Sequence, residues 1–159
     1  MAKKITVQEL NKENFKEFGN IIAADTKPRD GGDEGFDFWE RLGVFQGIDK
    51  ISVNVLRAKK RDLVIDKLEV HKDTPEAIIP LDGAEVVLVV GPSGPFDESN
   101  VKAFKIGNGK GVIINHGVRH FIPYPIHNHN VDCLIVFKDA TGANDLIFDQ
   151  LSEPHQILV

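Results

Sequence analysis

The sequence is short of cysteine, of long apolar runs and of positive charge, and each shortage removes a class of explanation. Its lone Cys133 rules out an intrachain disulfide and a thiolate zinc cluster, which suits a reducing cytoplasm. Set in the apolar stretch VDCLIVF, that cysteine is expected to be a small core hydrophobe rather than a nucleophile. No run approaches the roughly 18 apolar residues of a membrane span. The opening MAKKITVQEL carries no apolar export segment, so a cytoplasmic location away from membranes is expected. Lys and Arg number 19 against 24 Asp and Glu, a net charge of -5. A surface of that sign does not displace counterions from phosphates, which sets nucleic acid aside as a partner. The basic stretch RAKKRD, at 57–62, is short and mixed in sign and reads as a solvated loop. Two catalytic signatures are missing as well. GPSGPFDESN contains no Gly-x-Ser-x-Gly elbow, and Lys110 in KIGNGKGV is not followed by the Ser or Thr of a phosphate-binding loop.

What remains is an ordinary globular composition, 42% hydrophobic and 27% charged, in 159 residues, a length that holds one core: a single domain over 1–159. Near the start, the segment TVQELNKENFKEFGNII, with apolar Leu10, Phe15 and Phe18 and with Gly19 placed to stop it, predicts a short helix, and IIAAD predicts a strand after it. TKPRDGGDEG, at 26–35, reads as a charged, mobile loop of the kind that serves as a lid. Then come DFWERLGVF, ISVNVLRAKK, LVIDKLEVHK, EAIIPLD, AEVVLVVG, VKAFKIGNG, KGVIINHG, VDCLIVFK and DLIFDQL, punctuated by Gly, Pro, Asp and Asn. That rhythm predicts an all-β protein, an antiparallel β-barrel or sandwich. In ISVNVLR the period is two, with Ile51, Val53 and Val55 on one face and Ser52, Asn54 and Leu56 on the other. The unbroken VVLVV instead predicts a strand covered on both sides. Phe38 and Trp39 are expected in the core and His155 at the surface.

The stretch LEVHKDTPEAIIPLDG places charge where a sheet does not tolerate it unpaired. Glu69 and His71 lie two residues apart on one face of one strand, and the KDTP turn returns the chain so that Glu76 opens the next. Three ligand-type side chains thereby converge. Farther on, GKGVIINHGVRHFIPY adds His116 and His120 among glycines that permit tight turns. Arg119 offers a bidentate fork to a carboxylate, and with His116, Asn54 and Tyr124 it makes up the candidate substrate contacts. The His127-x-His129 pair sits in a Pro- and Asn-rich connection and reads as a hydrophilic loop.

Taken together, these spacings resemble the two motifs of the cupin superfamily, in which a His-x-His, a Glu and a later His project into a small β-barrel and hold a divalent metal. The first motif here reads Glu69-x-His71, four residues, Glu76, six residues, Gly83; the second reads Gly109, five residues, Asn115, one residue, Gly117, two residues, His120. A closer resemblance spans nearly the whole chain. LNKENFKEFGNII, ISVNV, LEVH, AIIPL followed by VVLVVG, VKAFKIGNGKGV, HGVRH and VDCLIVF are similar, in that order, to the ureidoglycolate lyase family, cupin-like enzymes of allantoin breakdown. The resemblance implies a cupin-like barrel or jelly roll with a short amino-terminal helix. It further implies a homodimer that releases urea from ureidoglycolate, or a related small hydroxy acid, to leave glyoxylate. Glu69, His71, Glu76 and His120 are then the catalytic residues, or the ligands of a divalent zinc, manganese, nickel or iron ion. The chain departs from the family's second motif at Asn115 and Phe121, where histidines are usual, and from the first at Val70. Those departures keep two alternatives open, a small-molecule-binding cupin without turnover and a metal-dependent sugar isomerase or epimerase.

Overall fold

The computed structural model describes residues 3–24 and 26–159. Its strands, in chain order, are β1 (Lys4–Glu9), β2 (Gly19–Ile22), β3 (Gly31–Gly32), β4 (Asp37–Phe38), β5 (Ile51–Ala58), β6 (Val64–Val70) and β7 (Glu76–Pro80). They continue as β8 (Glu85–Gly91), β9 (Lys102–Gly107), β10 (Gly111–Ile114), β11 (Arg119–His120), β12 (Tyr124–Pro125), β13 (Val131–Lys138) and β14 (Ile147–Leu158). Two α-helices of four residues, α1 (Lys12–Phe15) and α2 (Thr141–Asn144), and a 3-10 turn at Glu98–Asn100 complete the described elements. The strand read at IIAAD is β2, which ends at Ile22; Asp25 lies outside the described residues.

Six strands close on themselves in the order β11-β6-β14-β1-β9-β8 and back to β11, with β12 attached to β8. A second sheet, β2-β10-β7-β13-β5, packs against this ring. The strand β8 explains why both layers form. Val86, Leu88 and Val90 point into the core between the sheets, while Val87 and Val89 point into the interior of the ring. The unbroken VVLVV is therefore covered on both sides, as its pattern predicts, and burying each aliphatic side chain contributes about 1.5–3 kcal/mol. Phe15, Phe18 and Phe104 meet in the inter-sheet core with ring centroids 5.3–5.8 Å apart. The barrel is mixed rather than wholly antiparallel, because β1 runs parallel to both β14 and β9. Alternation of side chains reveals which residues face inward, not which way a neighbouring strand runs.

The expected amino-terminal helix is present but begins later. TVQE lies in β1, and α1 starts where Asn11 Oδ1 accepts hydrogen bonds from the Glu13 and Asn14 amides while the Asn11 amide donates to Asn14 Oδ1. The 26–35 segment contains one arm of the small β3–β4 hairpin, held by Asp30 N–H to Phe38 O at 2.8 Å and Asp33 N–H to Phe36 O at 2.9 Å. Phe38 and Trp39 consequently miss the core: Phe38 is exposed, and Trp39 is half-buried with its indole donating to Lys27 O. His155 departs from expectation in the other direction, being buried on β14 beside a register shift between Gln150 and His155. Cys133 is a core residue whose thiol is pushed up to about 11 by burial, so it is no nucleophile. In β5 the alternation holds with the faces reversed from ordinary amphipathicity. Ile51, Val53 and Val55 face outward, while Ser52, Asn54 and Leu56 face the other sheet.

Candidate active site

Four polar side chains meet where the two sheets come together. Glu69 lies on β6, His71 just past its end, and His120 on β11, where it stands opposite Glu69 in the ladder. Glu76 opens β7 in the other sheet, opposite Ile114. The loop from Asn115 to Val118 delivers His120: the Val118 amide donates to Asn115 O, and the Gly117 amide donates to His71 O at 2.7 Å. Gly117 takes a φ of 76°, which glycine adopts without the strain a Cβ would bring.

Glu76 Oε2 lies 3.1 Å from His71 Nε2 and 2.8 Å from His120 Nε2, and Glu69 Oε1 is 3.5 Å from His120 Nε2. The two imidazole centroids are 5.0 Å apart. Each ring is turned by a backbone carbonyl. His71 Nδ1 donates to Asp145 O at 2.6 Å, and His120 Nδ1 donates to Val118 O at 3.2 Å, so both Nε2 atoms are aimed at Glu76. Glu69 is the most accessible of the four, at 17% side-chain exposure against 3–7% for the others, and marks the mouth.

The electrostatics follow from this packing. Burial raises the Glu69 pKa, more than the His120 charge lowers it. Burial also acts upward on Glu76, but the charge of His120 and the contacts with both imidazoles overcome it and hold Glu76 at about 2. For the histidines, burial acts downward and Glu76 outweighs it, raising His71 and taking His120 to about 9. Glu76 Oε2 and His120 Nε2 have no well-directed hydrogen-bond partner despite their 2.8 Å separation, so charge rather than direction holds that pair. One ligand atom from each of Glu69, His71 and His120 lies within 4.8 Å of the others, and Glu76 stands against both imidazoles. Undirected donors converging on one point are what a divalent ion completes, and a mixed imidazole and carboxylate set suits such an ion.

The remaining sequence-selected residues separate from this cluster. Arg119 follows the alternation of β11 to the opposite face from His120, where its guanidinium meets Asp149 at 2.6 Å and Pro92 O at 2.7 Å. It is a structural fastener there and is not turned toward the histidines. Tyr124 is buried in the ring interior, with its hydroxyl donating to Val64 O and Arg61 stacked 3.7 Å above its ring. His116 is exposed and lines a separate cavity of about 340 Å³ with Asn20, Gln46 and Asn115. Asn54 faces the inter-sheet space, donating to Ser52 Oγ at 3.1 Å. His127 and His129 stack 6.0 Å apart, His127 being an exposed residue.

Sequence reasoning missed Asp145. Its carbonyl holds His71, and its carboxylate accepts the amides of Lys72 at 2.9 Å and Asp73 at 2.8 Å. Thr74 Oγ1, in the same turn, accepts the Lys138 amide. The α2 region thus clamps the turn that separates His71 from Glu76. No spacing rule flags a partner 74 residues away in the chain.

The sequence profile of the family described as Ureidoglycolate lyase matches residues 2–157. The ureidoglycolate lyase of Pseudomonas savastanoi pv. phaseolicola (strain 1448A / Race 6) is 30% identical over 149 residues, covering 89% of this chain and 87% of its own. That of Pseudomonas putida (strain GB-1) is 29% identical over 147 residues, covering 88% and 87%. Among solved structures, RmlC from Streptococcus suis in complex with dTDP-D-xylose aligns with a TM-score of 0.47 at 19% identity, over 68% of this chain and 59% of that one. An S161A mutant of Bacillus subtilis oxalate decarboxylase aligns at 0.44 and 15%, over 64% and 24%.

Two outcomes are expected from this geometry. Asp145→Ala leaves the Lys72 and Asp73 amides unmet and destabilises the protein by about 1–3 kcal/mol in urea unfolding, with Asp145→Asn, which keeps an acceptor oxygen, closer to wild type. The His120 pKa lies above its ordinary 6.5, so its stabilisation is full below pH 6.5 and is lost as pH rises through about 9. The Glu76 pKa lies below its ordinary 4.5, so its stabilisation is full above 4.5 and is lost as pH falls through about 2. Metal-free protein is therefore expected to melt at the highest temperature between pH 4.5 and 6.5. Glu76→Gln removes the alkaline decline, and a wild-type melting temperature that stays flat up to pH 9 contradicts the assignment.

Proposed function

The chain belongs to the ureidoglycolate lyase family, and from that premise we propose that it cleaves ureidoglycolate into urea and glyoxylate in the cytoplasm. The observation that carries the reading is the meeting of Glu69, His71, Glu76 and His120 at one point, with protonation states pushed apart. The substrate is a carbinolamide bearing a carboxylate. As its carbon–nitrogen bond breaks, the hydroxyl proton leaves, a carbonyl forms, and the departing nitrogen takes up a proton.

Glu69 has the character of the base. It lies at the mouth, and its raised pKa makes it a better proton acceptor than Glu76, which is held at about 2. His120 has the character of the acid: with its pKa at about 9 it carries a proton on Nε2 at neutral pH, available to the leaving ureido nitrogen. Glu76 keeps that imidazole charged, and His71, fixed by Asp145 O, holds Glu76 from the other side. The same donors, Glu69, His71 and His120 with Glu76 beside them, would hold a divalent zinc, manganese, nickel or iron ion. Such an ion supplies Lewis acidity toward the hydroxyl and carboxylate of the substrate. Neither a binding protein without turnover nor a sugar isomerase draws support from the family match.

The outer face of the five-stranded sheet supports a homodimer. On the edge strand β5, Val53 and Val55 are 68% and 64% exposed, and they continue into Val136 and Leu134 on β13. An unpaired edge with an apolar face is the surface that natural sheets cover by association.

Purified protein mixed with ureidoglycolate should liberate urea and glyoxylate in equal amounts, and Glu69→Gln or His120→Ala should lower kcat by about 10²- to 10⁴-fold. Failure to release either product, both after chelation and with each of the four ions added, would remove the lyase assignment. In sedimentation the protein should run at twice the monomer mass, with the double variant Val53→Lys/Val55→Lys running as a monomer; a monomeric wild type refutes the dimer.

A further inference from the structure

We propose that the Lys67 ammonium receives the carboxylate of the substrate at the mouth of the site, so that this residue selects small 2-hydroxy carboxylates over neutral analogues. The inference rests on the lyase reading and names the group that recognises its substrate's charge.

The argument begins with an imbalance. The cluster contains two carboxylates, Glu69 and Glu76, and an anionic substrate approaching it needs a cation at the rim to offset them. Arg119 was the sequence's candidate, but its guanidinium is committed to Asp149 and Pro92 O on the other face of β11. Positions 67, 69 and 71 share one face of β6 and its continuation, which puts Lys67 on the side of Glu69 and His71. Across the ladder, Glu69 stands opposite Phe148, and Lys67 opposite Gln150. The Lys67 ammonium lies 5.0 Å from the Phe148 ring centroid and 5.8 Å from that of Phe121. Among the described residues Lys67 forms no ion pair with a carboxylate, whereas Lys102, whose ammonium also lies over an aromatic ring, is paired with Glu17. It is half-buried rather than fully solvated, and its charge reaches Glu69.

Two rings holding an ammonium without a counter-anion orient the cation while leaving its hydrogens free. The ring contacts are weak, about 0.5–1 kcal/mol at an accessible site, so an incoming carboxylate adds to them without displacing a stronger partner. Phe121 has a part in this arrangement. Its ring is one of the two faces against which the Lys67 ammonium lies.

The test uses glycolate and its neutral analogue glycolamide as probes, titrated calorimetrically into wild type, Lys67→Met and Lys67→Arg, with ureidoglycolate turnover measured in parallel. Wild type should bind glycolate about 10- to 100-fold more tightly than glycolamide, the worth of one charge-assisted hydrogen bond. Lys67→Met should lose that preference, Lys67→Arg should retain it, and the loss in turnover should fall on KM more than on kcat. A glycolate preference that survives in Lys67→Met, or its absence from wild type, overturns the proposal. Should wild type release no urea while the preference still depends on Lys67, the lyase reading fails and the carboxylate site stands.

Discussion

The molecule depends on one buried carboxylate. Glu76 is almost wholly removed from water, and an ionised carboxylate so placed costs several kcal/mol unless it is compensated. Compensation comes from two imidazoles on the other sheet's side of the interface, 3.1 and 2.8 Å away. The contact therefore joins the closed ring to the five-stranded sheet at the point where their apolar core gives out. It also sets the electrostatics of the cluster. A carboxylate that stays ionised holds an imidazole protonated, and the same arrangement leaves Glu69, nearer to solvent and raised by burial, as the group able to accept a proton.

Around that contact the fold uses strand alternation to separate structural from chemical duty. Consecutive residues Arg119 and His120 point to opposite faces of β11; the first ties the ring end to Asp149, and the second enters the cluster. The valines of β8 divide in the same way between two cores. Orientation is then refined by backbone groups. His71 and His120 each donate through Nδ1 to a carbonyl, which leaves Nε2 of both directed at one place. The carboxylate of Asp145 secures the turn between His71 and Glu76, so the spacing of the two is set by a segment distant in the chain.

Much of this was legible beforehand because it is local. Apolar stretches punctuated by turn residues located β5 to β10, β13 and β14, the continuous run in β8 announced its two-sided burial, and Cys133 was placed in the core from its apolar neighbours. Glu69 and His71 on one face, with Glu76 after a turn, were readable from spacing, and the family pattern extended the set to His120. The candidates that separate from the cluster share a cause. Arg119, Tyr124 and His116 lie close to His120 in sequence, but closeness along a strand or loop does not say which face or which cavity a side chain enters.

The sequence by itself determined the strand rhythm, the apolar composition of the interior and the polar residues that had to find one another, since those follow from side-chain chemistry repeated at short range. Tertiary structure alone decided that β1 would run parallel between β14 and β9, that His155 would be buried and Phe38 exposed, and that Asp145 and Lys67 would stand beside the cluster. The physical reason is that these outcomes are set by partners many residues away. Ladder direction, closure of the ring and hydrogen bonds across 74 residues are decided by which surfaces pack together, and no local period encodes that choice.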